Sequence, residues 1–162
     1  MTLHGAPSPA AAASPEPAPG GEPAPGGGPA PRFPVIVELF VRDVARSRAF
    51  YEALGFRATN AWTKGAWMER EGVGIRLELD DHVSAGPHYF TPDIGRIPRG
   101  TGVEIVVQVS DVDAVHAAAA RAGLSIVKGL QDRPWNCTDF RLADPDGYFL
   151  RITSPLAATP AP

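Results

Sequence analysis

The stretch Val35-Ile36-Val37-Glu38-Leu39-Phe40-Val41-Arg42-Asp43-Val44, running on through Phe50-Tyr51-Glu52-Ala53-Leu54-Gly55-Phe56, decides how this chain is read. It opens as a β-branched apolar run. After Asp43, Val44, Phe50, Tyr51 and Leu54 fall at helical spacing, and Gly55 ends the pattern. The same plan returns at Val103 to Val109, followed by Asp111, then Val112, Val115, Ala119 and Ala122 at helical spacing, then Gly123 and Leu124. Aligning Asp43 with Asp111 gives a period of 68 residues and superposes Leu54-Gly55-Phe56 on Ala122-Gly123-Leu124. Such self-similarity marks one supersecondary unit used twice. Asp43 and Asp111 (or Ser110) are suited to accept from orphan amides at a helix start, and Gly55 and Gly123 to take the left-handed C′ conformation.

Working outward, short strand candidates follow each helix: 56–63, 66–70 and 75–79 in the first copy, then 125–127, 138–142 and 148–153 in the second. Glu71-Gly72 and Asp144-Pro145-Asp146-Gly147 supply hairpin punctuation. The order is βαβββ twice, an α+β fold. Module one covers 34–80, a linker 81–101, and module two 102–155. Residues 1–33 hold half of the 18 prolines in a Pro/Ala/Gly-rich stretch with almost nothing to bury, so an unfolded tail is expected there, and a frayed end over 156–162.

Composition narrows the function. A formal net charge of -3 offers no basic surface for a phosphate backbone, so no nucleic-acid partner is expected. No apolar run approaches the roughly 20 residues of a membrane span, and no signal peptide is legible. The single Cys137 excludes an internal disulfide framework and fits a reducing, cytoplasmic compartment. It reads as a small buried or half-buried residue.

Strand parity locates a candidate pocket. Val35, Val37, Leu39 and Val41 share one face of the first strand, leaving Ile36, Glu38 and Phe40 on the other. In the second copy Val103, Ile105, Val107 and Val109 oppose Glu104, Val106 and Gln108. Arg76 and Glu78 likewise oppose Ile75, Leu77 and Leu79, and Phe149 and Arg151 oppose Tyr148, Leu150 and Ile152. The mixed face is either a solvated outer surface or the wall of a concavity; the repeat favours the second.

Val41-Arg42-Asp43-Val44 with Ala49-Phe50-Tyr51-Glu52-Ala53-Leu54-Gly55-Phe56 resembles the opening signature of the vicinal oxygen chelate superfamily, the glyoxalase and bleomycin-resistance proteins. Arg133-Pro134-Trp135, Asp139-Phe140-Arg141 and Asp144-Pro145-Asp146-Gly147 resemble the end of its bleomycin-resistance branch. The resemblance spans about 34–154. It implies paired βαβββ modules forming a U-shaped mixed sheet around a pocket, often completed in a homodimer. It also implies four metal-ligand positions in the enzymes of the superfamily, usually two His and two Glu. Here these fall on Ile36, Glu78, Glu104 and Arg151. Only Glu78 and Glu104 could coordinate, with Glu38 a substitute for Ile36, so no metal or other cofactor is expected.

Two functions follow. The favoured one is a binding protein that sequesters an aromatic or cationic small molecule, as the resemblance suggests. Its pocket would use Phe40, Trp62, Trp67, Trp135 and Phe149 with Glu38, Gln108, Arg76 and Arg151, and Trp135 is the leading single contact. The alternative is a lyase, isomerase or epimerase in which Glu104 acts as base with Glu78 as its partner, and Arg151 or Arg76 holds an oxyanion. The bland reading of Glu104 and Arg151 is a cross-strand ion pair. Phe50, Phe56 and Phe140 read as core. Deleting residues 1–33 is expected to leave the melting temperature nearly unchanged; a large fall in a thermal melt would show that the tail packs on the domain.

Overall fold

The structure, a computed structural model, describes residues 35–155; the expectations of an unfolded tail at 1–33 and a frayed end at 156–162 concern residues outside the described ones. The elements run β1 (Val37–Val41), α1 (Val44–Ala53), β2 (Arg57–Trp62), β3 (Gly65–Arg70), β4 (Val73–Leu79), α2 (Asp81–Ala85), β5 (Glu104–Gln108), α3 (Val112–Arg121), β6 (Ile126–Arg133), β7 (Cys137–Ala143) and β8 (Phe149–Thr153). They form two four-stranded mixed sheets, ordered β1-β4-β3-β2 and β5-β8-β7-β6. The first strand of each module pairs in parallel with the last, and the remaining pairs are antiparallel. This is the α+β fold of two βαβββ modules.

Two elements differ from the sequence reading. β6 extends to Arg133, well past the short strand over 125–127. Most of the added length is exposed and lacks an alternating pattern, and its register against β7 shifts twice. Backbone pairing holds it, which periodicity does not register. α2 has five residues, too few to show a helical period.

Both long helices end as their sequences specify. Asp43 accepts from the Arg46 amide at 3.0 Å, and Asp111, rather than Ser110, accepts from Ala114 at 2.9 Å. At the far ends Gly55 and Gly123 have φ of +85° and +69°. The Phe56 and Gly55 amides donate to the Tyr51 and Glu52 carbonyls, and Leu124 and Gly123 donate to Ala119 and Ala120. This is the Schellman arrangement twice, with the Tyr51 and Phe56 rings in edge contact at 5.6 Å.

The helices meet the apolar faces of the strands. Leu39, Val41, Ile75, Leu77, Val107, Leu150 and Ile152 join Phe50, Tyr51, Val115 and Ala119 in a single buried cluster that spans both modules. Phe50, Phe56 and Phe140 are buried in it, and Cys137 is buried as well.

Reciprocal contacts join the modules. The residue before each N-cap aspartate donates its amide to an acid beside the hairpin glycine of the other module: Arg42 to Asp146 at 3.3 Å, and Ser110 to Glu71 at 3.1 Å. The Arg42 guanidinium also donates to Asp146 at 2.8 Å. Asp144 takes the amides of Asp146 and Tyr148 on one oxygen and the Tyr51 hydroxyl of module one on the other.

Burial pushes the Asp144 carboxyl up to about 6 from 3.8, against the two amides that favour its charged form. A folded value above the unfolded one means that the folded state holds the proton more tightly. This group's stabilising contribution is therefore complete below about pH 4 and is lost as pH rises to about 6. Asp144→Asn keeps an acceptor and removes the slope. Between pH 4 and 6.5 the native protein is expected to lose on the order of 2 kcal/mol relative to the variant in urea unfolding; parallel profiles would refute the assignment.

Candidate functional site

The faces turned away from the helices carry the charge. On the first sheet, Glu38 and Phe40 of β1 stand in register with Arg76 and Glu78 of β4, and Arg76 stands opposite Trp67 of β3. Paired residues share a face, so these side chains form one surface. Arg76 reaches Glu78 at 2.9 Å and Glu38 at 3.4 Å. Its guanidinium carbon lies 5.8 Å from the Trp62 ring and 5.9 Å from the Trp67 ring. Two aromatic rings and two carboxylates thus converge on one guanidinium. Trp62 takes this place by lying across Gly65, where a Cβ would sit 2.3 Å from the indole. The linker closes one end: His88 and Phe90 contact the Phe40 ring at centroid distances of 5.5 and 5.8 Å.

On the second sheet, Glu104 and Gln108 of β5 face the same way as Phe149 and Arg151 of β8. Glu104 lies 3.7 Å from Arg151, so the cross-strand ion pair is present, and 3.4 Å from Arg141 of β7, which sequence reasoning missed. The register row Val106, Arg151, Arg141, Lys128 crosses all four strands and brings three cations together. Its signal was the alternation of Asp139, Arg141 and Ala143 against Phe140 and Leu142 in β7. Asp139, fully buried, accepts from Arg133 at 3.0 and 2.6 Å. An open cavity of about 550 Å³ adjoins this face. It is lined by Glu104, Phe149, Ala143, Gly147 and Val127 together with the stretch from Pro98 to Val103.

The structure therefore brings Glu38, Phe40, Trp62, Trp67, Arg76 and Glu78 together on one sheet, and Glu104, Gln108, Phe149 and Arg151 on the other. Glu78 and Glu104 lie on different sheets, and each is paired with arginine of its own sheet. Trp135 sits at the tip of the β6–β7 turn, 51% exposed and on the other sheet from Trp62 and Trp67.

The metal-ligand positions implied by the resemblance hold a poor donor set. Ile36 offers no donor, Arg151 is a cation beside Glu104, and Glu78 is engaged by Arg76. Among the described residues no three His, Cys, Asp or Glu side chains gather to hold a metal ion. His116 packs edge-on against Phe140 at 5.0 Å. These residues do not fit the divalent ion of the superfamily's enzymes. Among the described residues, no helix is long and apolar enough to cross a membrane.

A family profile described as the Glyoxalase/Bleomycin resistance protein/Dioxygenase superfamily matches residues 34–152, and the chain belongs to that superfamily. Solved structures similar to it include a glyoxalase/bleomycin resistance protein/dioxygenase family enzyme from Burkholderia phytofirmans PsJN, 18% identical, covering 74% of this chain and 95% of that one with a TM-score of 0.60. A glyoxalase-related enzyme from Fulvimarina pelagi is 17% identical, covering 74% and 86%, with a TM-score of 0.59. TioX from Micromonospora sp. ML1 is 24% identical, covering 77% and 98%, with a TM-score of 0.55. At these identities the likeness shows the fold. No curated protein matches.

Arg76→Met removes both ion pairs and the cation–π contact and leaves Glu38 and Glu78 without their shared cation. The expected result is a loss of about 1 kcal/mol in denaturant unfolding together with a shifted tryptophan emission maximum. Unchanged emission would show that the guanidinium does not sit over the two indoles.

Proposed function

We propose that this protein is a metal-independent binding protein of the bleomycin and antibiotic-resistance type, which sequesters a small aromatic or cationic molecule, acting in the cytoplasm as a homodimer. The observation that carries the reading is the convergence of Trp62, Trp67, Glu38 and Glu78 on the Arg76 guanidinium. Those groups form a cation–π and carboxylate environment, and Arg76 samples it as a flat, delocalised cation would. Arg76 is partly exposed, and partly exposed ion pairs contribute little, so a ligand cation can displace it or stack beside it at small cost. The superfamily membership and the poor metal donor set support the reading. The enzymatic alternative, a glyoxalase-like lyase, isomerase or epimerase, needs Glu104 and Glu78 to divide acid and base roles in one site. Their separate arginine pairing favours binding.

Titrating planar aromatic cations, bleomycin among them, against intrinsic tryptophan fluorescence tests this. Stoichiometric quenching with the ligand recovered unaltered is expected, weakened at least tenfold in Trp67→Ala, with no rise in melting temperature on adding Ni²⁺, Mn²⁺, Zn²⁺ or anaerobic Fe²⁺. Trp135→Ala separates the hairpin tip from the sheet face: a loss of more than about 1 kcal/mol places the tip on the ligand. A metal-dependent stabilisation, or ligand consumption abolished by Glu104→Gln, would overturn the proposal.

A further inference from the structure

The second sheet carries the opposite charge balance from the first. Glu38 and Glu78 outnumber Arg76 on the first sheet, whereas Arg151, Arg141 and Lys128 lie in one cross-strand row on the second, with Glu104 as the acid shared by the two arginines. Arg133 and Asp139 on the same face neutralise each other.

The pairing of Glu104 is loose. At 3.4 and 3.7 Å it meets the Nε atoms of Arg141 and Arg151 as an ion pair, yet both Nε groups are buried and find no hydrogen-bond acceptor among the described residues. A buried guanidinium N–H without an acceptor is costly, and the fork geometry of arginine suits a planar or tetrahedral oxyanion. Glu104 and Phe149 also line the 550 Å³ cavity, together with Val103 and Val127, both largely exposed. A largely apolar cavity therefore opens at Glu104, the acid that these two under-satisfied cations share.

We infer that the inner face of the second sheet is a subsite for a small organic anion, with its apolar body in the cavity over Phe149 and Val127 and its carboxylate or phosphate on Arg141 and Arg151. The anion takes up the donors that Glu104 satisfies poorly, and Glu104 is its internal competitor. The inference rests on the second sheet alone and stands whether or not the first sheet takes a cation.

Isothermal titration of the full chain with 2-naphthoate, 2-naphthyl phosphate and neutral 2-naphthylmethanol tests it. Both anions are expected to bind, the alcohol at least tenfold more weakly, and the tighter anion identifies whether carboxylates or phosphate esters are the preferred class. Arg151→Gln should weaken the anions at least tenfold. Glu104→Gln should tighten them severalfold, a gain that a poorly folded variant does not produce. Equal binding of the alcohol, or no gain in Glu104→Gln, would overturn the subsite.

Discussion

One-sided burial is the constraint from which the rest of this molecule follows. The strands that carry Leu39, Val41, Ile75, Leu77, Val107, Leu150 and Ile152 give one face to a core shared by α1, α3 and both sheets. The charges those strands carry, Glu38, Arg76, Glu78, Glu104 and Arg151, then lie on the opposite face, because successive side chains of a strand point to opposite sides of the sheet. That face is itself partly buried, so the charges are placed beside one another. Arg76 lies between Glu38 and Glu78, and Glu104 lies between Arg141 and Arg151. Core packing and the candidate binding surface are thus two sides of the same strands, and a one-residue slip in register would exchange them.

The modules are held in place by polar contacts with a pseudo-twofold logic. An acid beside a hairpin glycine, Glu71 or Asp146, accepts the amide that precedes the opposite helix cap. Hydrogen bonds to a charged acceptor are worth roughly 1.5–3 kcal/mol each. They also fix the direction of approach, which an apolar core does not. The linker joins the same junction. Arg99, almost fully buried, donates to Asp80 at 2.5 Å and to the Phe40 carbonyl at 2.6 Å, and lies 3.7 Å from Asp146. The Tyr148 hydroxyl donates to that same carbonyl at 3.1 Å. The backbone of β1, which presents Phe40 and Glu38, is therefore positioned from the second module as well as from its own sheet.

What could be read in advance follows the range of the interaction. Caps, Schellman glycines, strand parity and the repeat are local, set by neighbours within about seven residues, and Asp43, Gly55, Asp111 and Gly123 announce them. The Trp62 and Trp67 contacts with Arg76 depend on the registers of β2 with β3 and of β3 with β4, so they were visible as candidates but not as a cluster. Arg141 and Lys128 were missed because their meaning arises only across strands. Lys128 also sits between two register shifts, where parity counted from the sequence fails. Glu104 and Glu78 were legible as inward-facing acids, whereas their assignment to separate arginines required the sheets. Arg99 had no readable signal, since nothing in its local pattern distinguishes a buried linker arginine from an exposed one.

Arg151 stands at the position where the resemblance implies the last metal ligand, and the exchange changes what this face can do. A divalent ion concentrates charge at a point, acidifies bound water and polarises a carbonyl. A guanidinium spreads one charge over a plane and binds by directed donors, and its proton is not available for transfer at physiological pH. With Arg141 beside it, the proposed subsite would hold an oxyanion in a defined orientation. On the first sheet the tryptophans and acids offer the complementary surface for a flat cation. Recognition requires shape, stacking and charge of both signs, and the proposed sites on the two faces draw on all three; catalysis would fall to the carboxylates of Glu38, Glu78 and Glu104, because the arginines cannot give up a proton at physiological pH.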